Sequence, residues 1–393
     1  MSKFVYADNA ATTPVSREVI DAMSVCFESA WGNPSSQHGK GYEAKALVDD
    51  ARARIARVFN CNPNELYFTA SGTESDNWAI KGAAMRMRKK GRTHIVTSKI
   101  EHHAVLHTCE ALEKQGFTVT YVGTDEYGTV NLDELREAVT ENTALVAIMF
   151  ANNEIGTIEP IEQMVEIAHS KGALFFTDAV QAVGAVDIDL SRLKVDMLSL
   201  SGHKLHAPKG IGMLYIRKGV FIDNLIDGGG QERRKRGGTE NVPYIVGLAK
   251  ALEIAKNRIP ELDKVRAKRD RLIGELTKIP YSKLNGHPTD RLAGNVNIGF
   301  EFIEGESILM WLDMAGICAS TGSACSSASL DPSHVLLAIG VPHEKAHGSI
   351  RLSITHETTD EDIDYILDTL PPIIERLRNM SPLWEEIVNK NRQ

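Results

Sequence analysis

The sequence predicts an α/β protein: a large domain on a mostly parallel, seven-stranded sheet with helices on both faces, joined to a smaller α+β C-terminal domain. Three observations carry this. From about residue 43 to 216, short apolar runs rich in β-branched residues alternate with amphipathic stretches, as in a parallel sheet with crossover helices. From Pro243 to Ile279 a long helical stretch interrupted by Pro260 reads as a connector of two helices. Beyond it, two further strands alternate with helices in a shorter unit. The 393 residues also exceed what one hydrophobic core usually serves.

In chain order, the strands of the large unit are expected at Tyr67–Thr69, His94–Thr97, Val119–Val122, Ala144–Phe150, Leu174–Thr177, Met197–Leu200 and Gly212–Ile216. Helices are expected between several of them, at Glu74–Lys90, Ala104–Gln115 and Ile161–Ser170. In the small unit Asn295–Phe300 and Ser349–Ile354 read as strands, and Ser307–Ala315, Pro332–Ile339 and Asp360–Met380 as helices. The boundary falls near residue 255, giving a large domain over 14–255 and a small one over 256–393, with residues 1–13 packed on the latter.

Composition narrows the function. A net charge of -8 argues against a nucleic-acid binder, although Arg233-Arg234-Lys235-Arg236 form a local basic run. Five cysteines, an odd number without a C-x-x-C pair, make a disulfide framework or zinc knuckle unexpected and favour a reducing cytoplasm. The N-terminus lacks the apolar core of a signal peptide, and no apolar run reaches membrane-spanning length.

Open parallel sheets bind ligands at the carboxyl ends of their strands, so residues just after the strands are the candidates. After the first strand comes Ala70-Ser71-Gly72-Thr73-Glu74-Ser75-Asp76. Thr73 with Asp76 fits a capping box, and the amides of a helix start suit a phosphate, with Gly72 permitting close approach. An ordinary capped helix explains the same residues. After Leu174–Thr177 comes Asp178, then Gln181; after Met197–Leu200 comes Ser201-Gly202-His203-Lys204. Asp178 and Lys204 lie about one strand-helix-strand unit apart and would face one crevice. There an acid can pair with a protonated ring nitrogen, as pyridoxal phosphate requires, and a lysine can form an imine. His102, after the second strand, is able to stack on a flat ring and move protons near neutral pH. His103 and His107 have the spacing of helix-borne metal ligands, but no third ligand is suggested nearby, so no metal is expected. Asn153 is a hydrogen-bonding candidate or a cap, and Arg351 a carboxylate clamp or an interdomain ion pair. The run from Ser320 to Ser329 contains only small residues and Cys325, and reads as a mobile, exposed loop carrying a reactive thiol; Cys318 fits a buried, inert one.

Together these residues resemble the cysteine desulfurases of the NifS/IscS type, within fold type I of the pyridoxal 5'-phosphate enzymes. The resemblance runs along the chain through Asp8-Asn9-Ala10-Ala11-Thr12-Thr13, Gly32-Asn33-Pro34-Ser35-Ser36, Gly72-Thr73-Glu74-Ser75, Glu101-His102, Asn152-Asn153-Glu154 and Thr177-Asp178-Ala179-Val180-Gln181. It continues through Ser201-Gly202-His203-Lys204, Arg236-Gly237-Gly238-Thr239, Gly322-Ser323-Ala324-Cys325 and Ile350-Arg351. It implies that Lys204 holds the cofactor as a Schiff base and moves the Cα proton. It implies that Asp178 keeps the ring nitrogen protonated, that Gln181 bonds the ring hydroxyl, and that His102 stacks on the ring and takes the substrate thiol's proton. Thr73, Ser201 and His203 are implied to hold the phosphate with Gly72, and Thr239 to reach it from the partner subunit of a homodimer. Asn33, Asn153 and Arg351 are the implied grip on the substrate carboxylate. The implied reaction takes L-cysteine to L-alanine and leaves a persulfide on Cys325, for delivery to an iron–sulfur scaffold protein or another sulfur acceptor.

Overall fold

The structure, a computed structural model, describes residues 3–321 and 332–390. The chain begins with a two-residue strand, β1 (Val5–Tyr6), then two helices, α1 (Arg17–Glu28) and α2 (Gly39–Phe59). Helix α2 stops at Asn60, whose left-handed backbone (φ 52°) closes its last turn. Then follow β2 (Leu66–Thr69), α3 (Gly72–Arg88), β3 (His94–Ser98), α4 (His103–Glu113), β4 (Thr118–Val122), α5 (Leu132–Ala138) and β5 (Thr143–Ala147). The large sheet is completed by α6 (Ile161–Ser170), β6 (Leu174–Asp178), β7 (Met197–Ser201) and β8 (Gly212–Ile216).

These strands form one seven-stranded sheet in the order β2-β8-β7-β6-β5-β3-β4. All pairs are parallel except the two made by β8, which runs against β2 and β7. Strands β5, β7 and β8 are buried at every residue, which is why they appear in the sequence as mostly apolar runs broken only by small residues such as Thr143 and Ser199. The core on one face packs α1, α2, α6 and the helix after the sheet; the core on the other packs α3 and α4. The chain leaves β3 towards β4 on one side and returns to β5 on the other, so a crevice opens at the carboxyl ends of β3 and β5. The strand expected to reach Phe150 is regular only to Ala147, although the Ile148 and Phe150 amides still donate to the Phe176 and Asp178 carbonyls of β6.

After a single irregular turn, α7 (Gln231–Arg234), come α8 (Val242–Arg258) and α9 (Leu262–Leu276). Pro260 sits in the 3-10 turn that separates the two helices, where its missing amide does no harm. A second sheet, ordered β12-β10-β9, is built from β9 (Ser282–Leu284), β10 (Asn295–Phe300) and β12 (Ser349–Ser353). Around it lie α10 (Gly305–Met314), β11 (Ile317–Cys318), α11 (His334–Ala338), α12 (His343–Ala346), α13 (Asp360–Asn379) and α14 (Pro382–Lys390). β1 pairs with β11, and Val5 and Ala7 enter the core of this second unit. The N-terminal segment therefore starts in the small core and runs on to the large sheet.

Candidate active site

The first turn of α3 follows β2. Its N-cap is Ser71, whose Oγ accepts the amide of Glu74 at 3.1 Å. This corrects the expectation that Thr73 and Asp76 form the capping box: Gly72 and Thr73 are already helical, and Asp76 lies one turn inside. Asp76 is instead buried and accepts the Ser199 hydroxyl at 2.5 Å. Glu74 accepts the Ala70 amide at 2.8 Å and pairs with Arg236 at 2.8 Å, which ties the basic run to the helix start. A Cβ on Gly72 would stand 2.8 Å from Val180 Cγ2 and 3.3 Å from Ser201 Cβ. Only glycine lets α3 begin this close to the end of β7, leaving first-turn amides beside Ser201. That cradle fits a phosphate group. Thr73 is exposed beside it, and Thr239 is exposed just beyond the Arg236 anchor.

Lys204 ends a 3-10 turn directly after β7. Its Nζ donates to the carbonyls of Ala10 and Ala11 at 2.5 and 2.7 Å. Gln181 Nε2 donates to the same Ala10 carbonyl at 3.1 Å. His203 Nδ1 lies 3.1 Å from Thr12 Oγ1, and burial, with the charges of Lys204 and Lys209, pulls its pKa down to about 4, so the ring is neutral at pH 7. Asp178, last residue of β6, is buried and accepts the Val180 amide at 2.9 Å. Burial raises its pKa; His102, the Val180 amide and Lys204 oppose that rise. Polar atoms of Asp76, His102 and Asp178 lie within 4.8 Å of one another. His102 caps α4 through Nδ1, which accepts the Ala104 amide at 3.1 Å. The neutral ring therefore carries its proton on Nε2. A half-buried imidazole over a buried carboxylate, with a lysine amine near enough to bias its charge, fits a cofactor with a protonated ring nitrogen and an aldehyde.

Arg351, in β12, is 3 % exposed. Its Nη1 donates to the Asn153 carbonyl at 3.0 Å and its Nη2 to Asp8 Oδ1 at 3.0 Å, while Nε is buried without a hydrogen-bond partner. Asn153 is thus brought to Arg351 by its backbone. Asn33 is not: it is exposed, and its side chain caps the amide of Ser35 at 2.9 Å. The sequence reading took Asp76 only as a capping residue and Asp8 only as part of a family-like segment, since nothing local in sequence links them to Asp178 or Arg351.

Cys325 lies outside the described residues. The chain on either side of it is anchored at the crevice. Ser320 exchanges backbone hydrogen bonds with Arg351, the Ser333 hydroxyl donates to Glu154, and His334 Nε2 lies 3.0 Å from the Glu101 carbonyl. Among the described cysteines, burial pushes Cys61 and Cys109 up to about 12 and also raises Cys26 and Cys318, so none offers a ready thiolate. The rings of His103 and His107 stack at 5.0 Å, yet neither belongs to a group of three potential metal ligands among the described residues.

Residues 5–366 match the aminotransferase class-V family. The chain is 58% identical over 383 residues to "Cysteine desulfurase IscS" of Methanosarcina thermophila, covering 97% of this chain and 95% of that protein. It is 54% identical over 398 residues to "Cysteine desulfurase IscS" of Clostridium botulinum, covering both chains fully (100%). Among solved structures it resembles a "NifS-like protein" with a TM-score of 0.90 and 41% identity, over 95% of this chain and 100% of that one. It also resembles "SspA in complex with cysteine", with a TM-score of 0.78 and 37% identity, over 89% and 98%.

Proposed function

The chain belongs to the class-V aminotransferase family, and from that premise we propose that it is a pyridoxal 5'-phosphate-dependent cysteine desulfurase. It converts L-cysteine to L-alanine, leaves a persulfide on Cys325, and so supplies sulfur for iron–sulfur cluster assembly or other thiolation. The observation that carries the reading is the meeting of Lys204, Asp178 and His102 at the ends of β7, β6 and β3.

Gly72, Thr73, Ser201 and His203 would hold the cofactor's phosphate, and Gln181 and Asn153 its ring. Bound there, pyridoxal phosphate supplies an electron sink for the bond between Cα and its hydrogen. Asp178 holds a proton at the ring nitrogen, because an anion in a buried site strongly favours a cation opposite it. Lys204 Nζ moves the proton at Cα. Arg351 binds the substrate carboxylate, helped by Asn153. His102 can take the substrate thiol's proton only at Nδ1, so it must give up its cap bond to Ala104 to do so. The Cys325 thiolate attacks the substrate sulfur; the bond from that sulfur to carbon breaks, and the carbon side leaves as alanine. Anchoring of Ser320 and Ser333 at the crevice supports Cys325 as the acceptor.

The functional unit is a homodimer in which the exposed Thr239 completes the phosphate site of the partner. Residues 14–255 form the cofactor domain, and 1–13 with 256–393 the small domain. No helix among the described residues is long and apolar enough to cross a membrane, which accords with our placing the protein in the cytoplasm. The decisive measurement is incubation of the purified, cofactor-loaded protein with L-cysteine and a reductant. Stoichiometric alanine and sulfide are expected, and absence of alanine overturns the reading. Cys325→Ser should keep the cofactor and lose alanine formation; alanine at the wild-type rate would remove Cys325 from the mechanism.

A further inference from the structure

The Arg351 guanidinium is buried with its fork half filled. Its Nε–H and one N–H of Nη2 point the same way, along the edge that grips a carboxylate with two parallel bonds. Asp8 takes the Nη2 end at 3.0 Å, and Nε is left without an acceptor. A buried donor in that state is costly, and a second carboxylate oxygen would satisfy it. Asp8 therefore occupies the place of a carboxylate without filling it.

Asp8 also belongs to a short, well-anchored segment. Asn9 Nδ2 donates to the Ser353 carbonyl at 2.8 Å, and the Ala10 amide to Ser353 Oγ at 2.8 Å. The next carbonyls, those of Ala10 and Ala11, receive Lys204 Nζ. One stretch of chain thus contacts both the residue that grips the substrate and the residue that moves its proton.

We propose that Asp8 is a stand-in for the substrate carboxylate, displaced from Arg351 when an α-amino acid binds, and that its displacement loosens the segment that Asn9 and Ala10 anchor to Ser353. This rests on the reading that Lys204 and Arg351 serve an amino-acid substrate. Two carboxylates cannot share one buried edge without strong repulsion, so the substrate binds only as Asp8 leaves. The apparent affinity for substrate is then lowered by the fraction of molecules in which Arg351 is open. Asp8 is a positioning residue on this account: it touches neither the cofactor nor the reacting atoms.

A plain structural role predicts something different. If Asp8 only balances the charge of Arg351, its removal destabilises the protein and spoils the substrate site together, raising KM. If it is a stand-in, removal destabilises the free protein but favours substrate, lowering KM. The test uses cofactor-loaded wild type and Asp8→Asn. The expected result is a lower melting temperature together with a KM for L-cysteine about tenfold lower and a smaller change in kcat. An unchanged or raised KM overturns the proposal. A second measurement needs no variant: hydrogen exchange at residues 10–12 of the wild-type holoenzyme should speed up with L-alanine and stay unchanged with L-alanine methyl ester. Equal exchange with both ligands overturns the displacement of the Asp8 segment. If the wild type formed no alanine from cysteine, the desulfurase reading would fail, while the exchange experiment would still decide the role of Asp8.

Discussion

Three carboxyl groups, Asp76, Glu101 and Asp178, are buried behind the crevice, and burial raises the pKa of each, with the charge of Asp178 adding to the rise at Asp76 and Glu101. Glu101 is the clearest for a test. It accepts the Ser98 hydroxyl at 2.5 Å and the Met149 amide at 2.9 Å, yet burial raises its pKa to about 8. A glutamate with a raised folded pKa holds its proton in the folded chain after the unfolded chain has released it. Stability from this group is therefore full below the ordinary value of 4.5 and is lost as pH rises towards about 8. Glu101→Gln, neutral throughout, should have a flatter dependence of melting temperature on pH between about 5 and 8. It should also match or exceed the wild type at the alkaline end. Parallel melting curves for the two proteins across that range would show that Glu101 is ionised in the folded chain. Such groups leave little trace in a sequence: Glu101 stands between Ile100 and a pair of histidines, and only the fold takes it out of water.

At the scale of elements, the start of α3 is the part of the site most sensitive to a single atom. Gly72→Ala would place a Cβ 2.8 Å from Val180 Cγ2, on a short side chain with little freedom to move. Overpacking of this kind costs about 1–3 kcal/mol, and here it acts by pushing the helix start from the end of β7. Pyridoxal phosphate affinity should fall about tenfold or more, read by titrating cofactor-free protein at its absorbance band. Val180→Ala added to Gly72→Ala removes the obstructing methyl and should recover most of the affinity. An undiminished affinity in Gly72→Ala would show that α3 does not hold the phosphate. The same scale explains what was legible beforehand. Strands β6, β7 and β8 were readable because burial on both faces leaves mostly apolar runs, and β6 and β7 pass directly into polar residues, Asp178 and Ser201. Helix α2 was missed: its buried face dilutes Val48, Ile55 and Phe59 with Gly41, Ala44, Ala51 and Ala56 and includes the charged Arg52. Strands β1 and β11 are two residues each and exist only through their pairing. Asp8 stands in a segment whose resemblance to the family was visible, but its link to Arg351 spans 343 residues. No local pattern encodes such a contact.

For the whole molecule, the unanswered demand of the single chain is its apolar surface. Val25 and Phe27 on α1, Trp31 after it and Tyr42 on α2 are 54%, 61%, 69% and 61% exposed. Large side chains concentrated on adjoining elements suit the homodimer interface proposed above. Both helices rest on α8, and Gly247 in α8 allows Met23 of α1 to approach closely. The loop that carries Thr239 leads straight into α8, so this surface and the exposed threonine are joined through one element. A partner covering the aromatic residues would then be positioned to receive Thr239. Phe27→Asp with Trp31→Asp places two charges in the centre of that surface, where desolvating them is unfavourable. Sedimentation should show a monomer, with lower cofactor content because each phosphate site lacks the partner's threonine. Thr239→Ala in the intact dimer should reproduce the weakened cofactor binding without dissociation. A double variant that remained dimeric would move the interface to another face, and normal cofactor binding in a true monomer would confine Thr239 to its own chain.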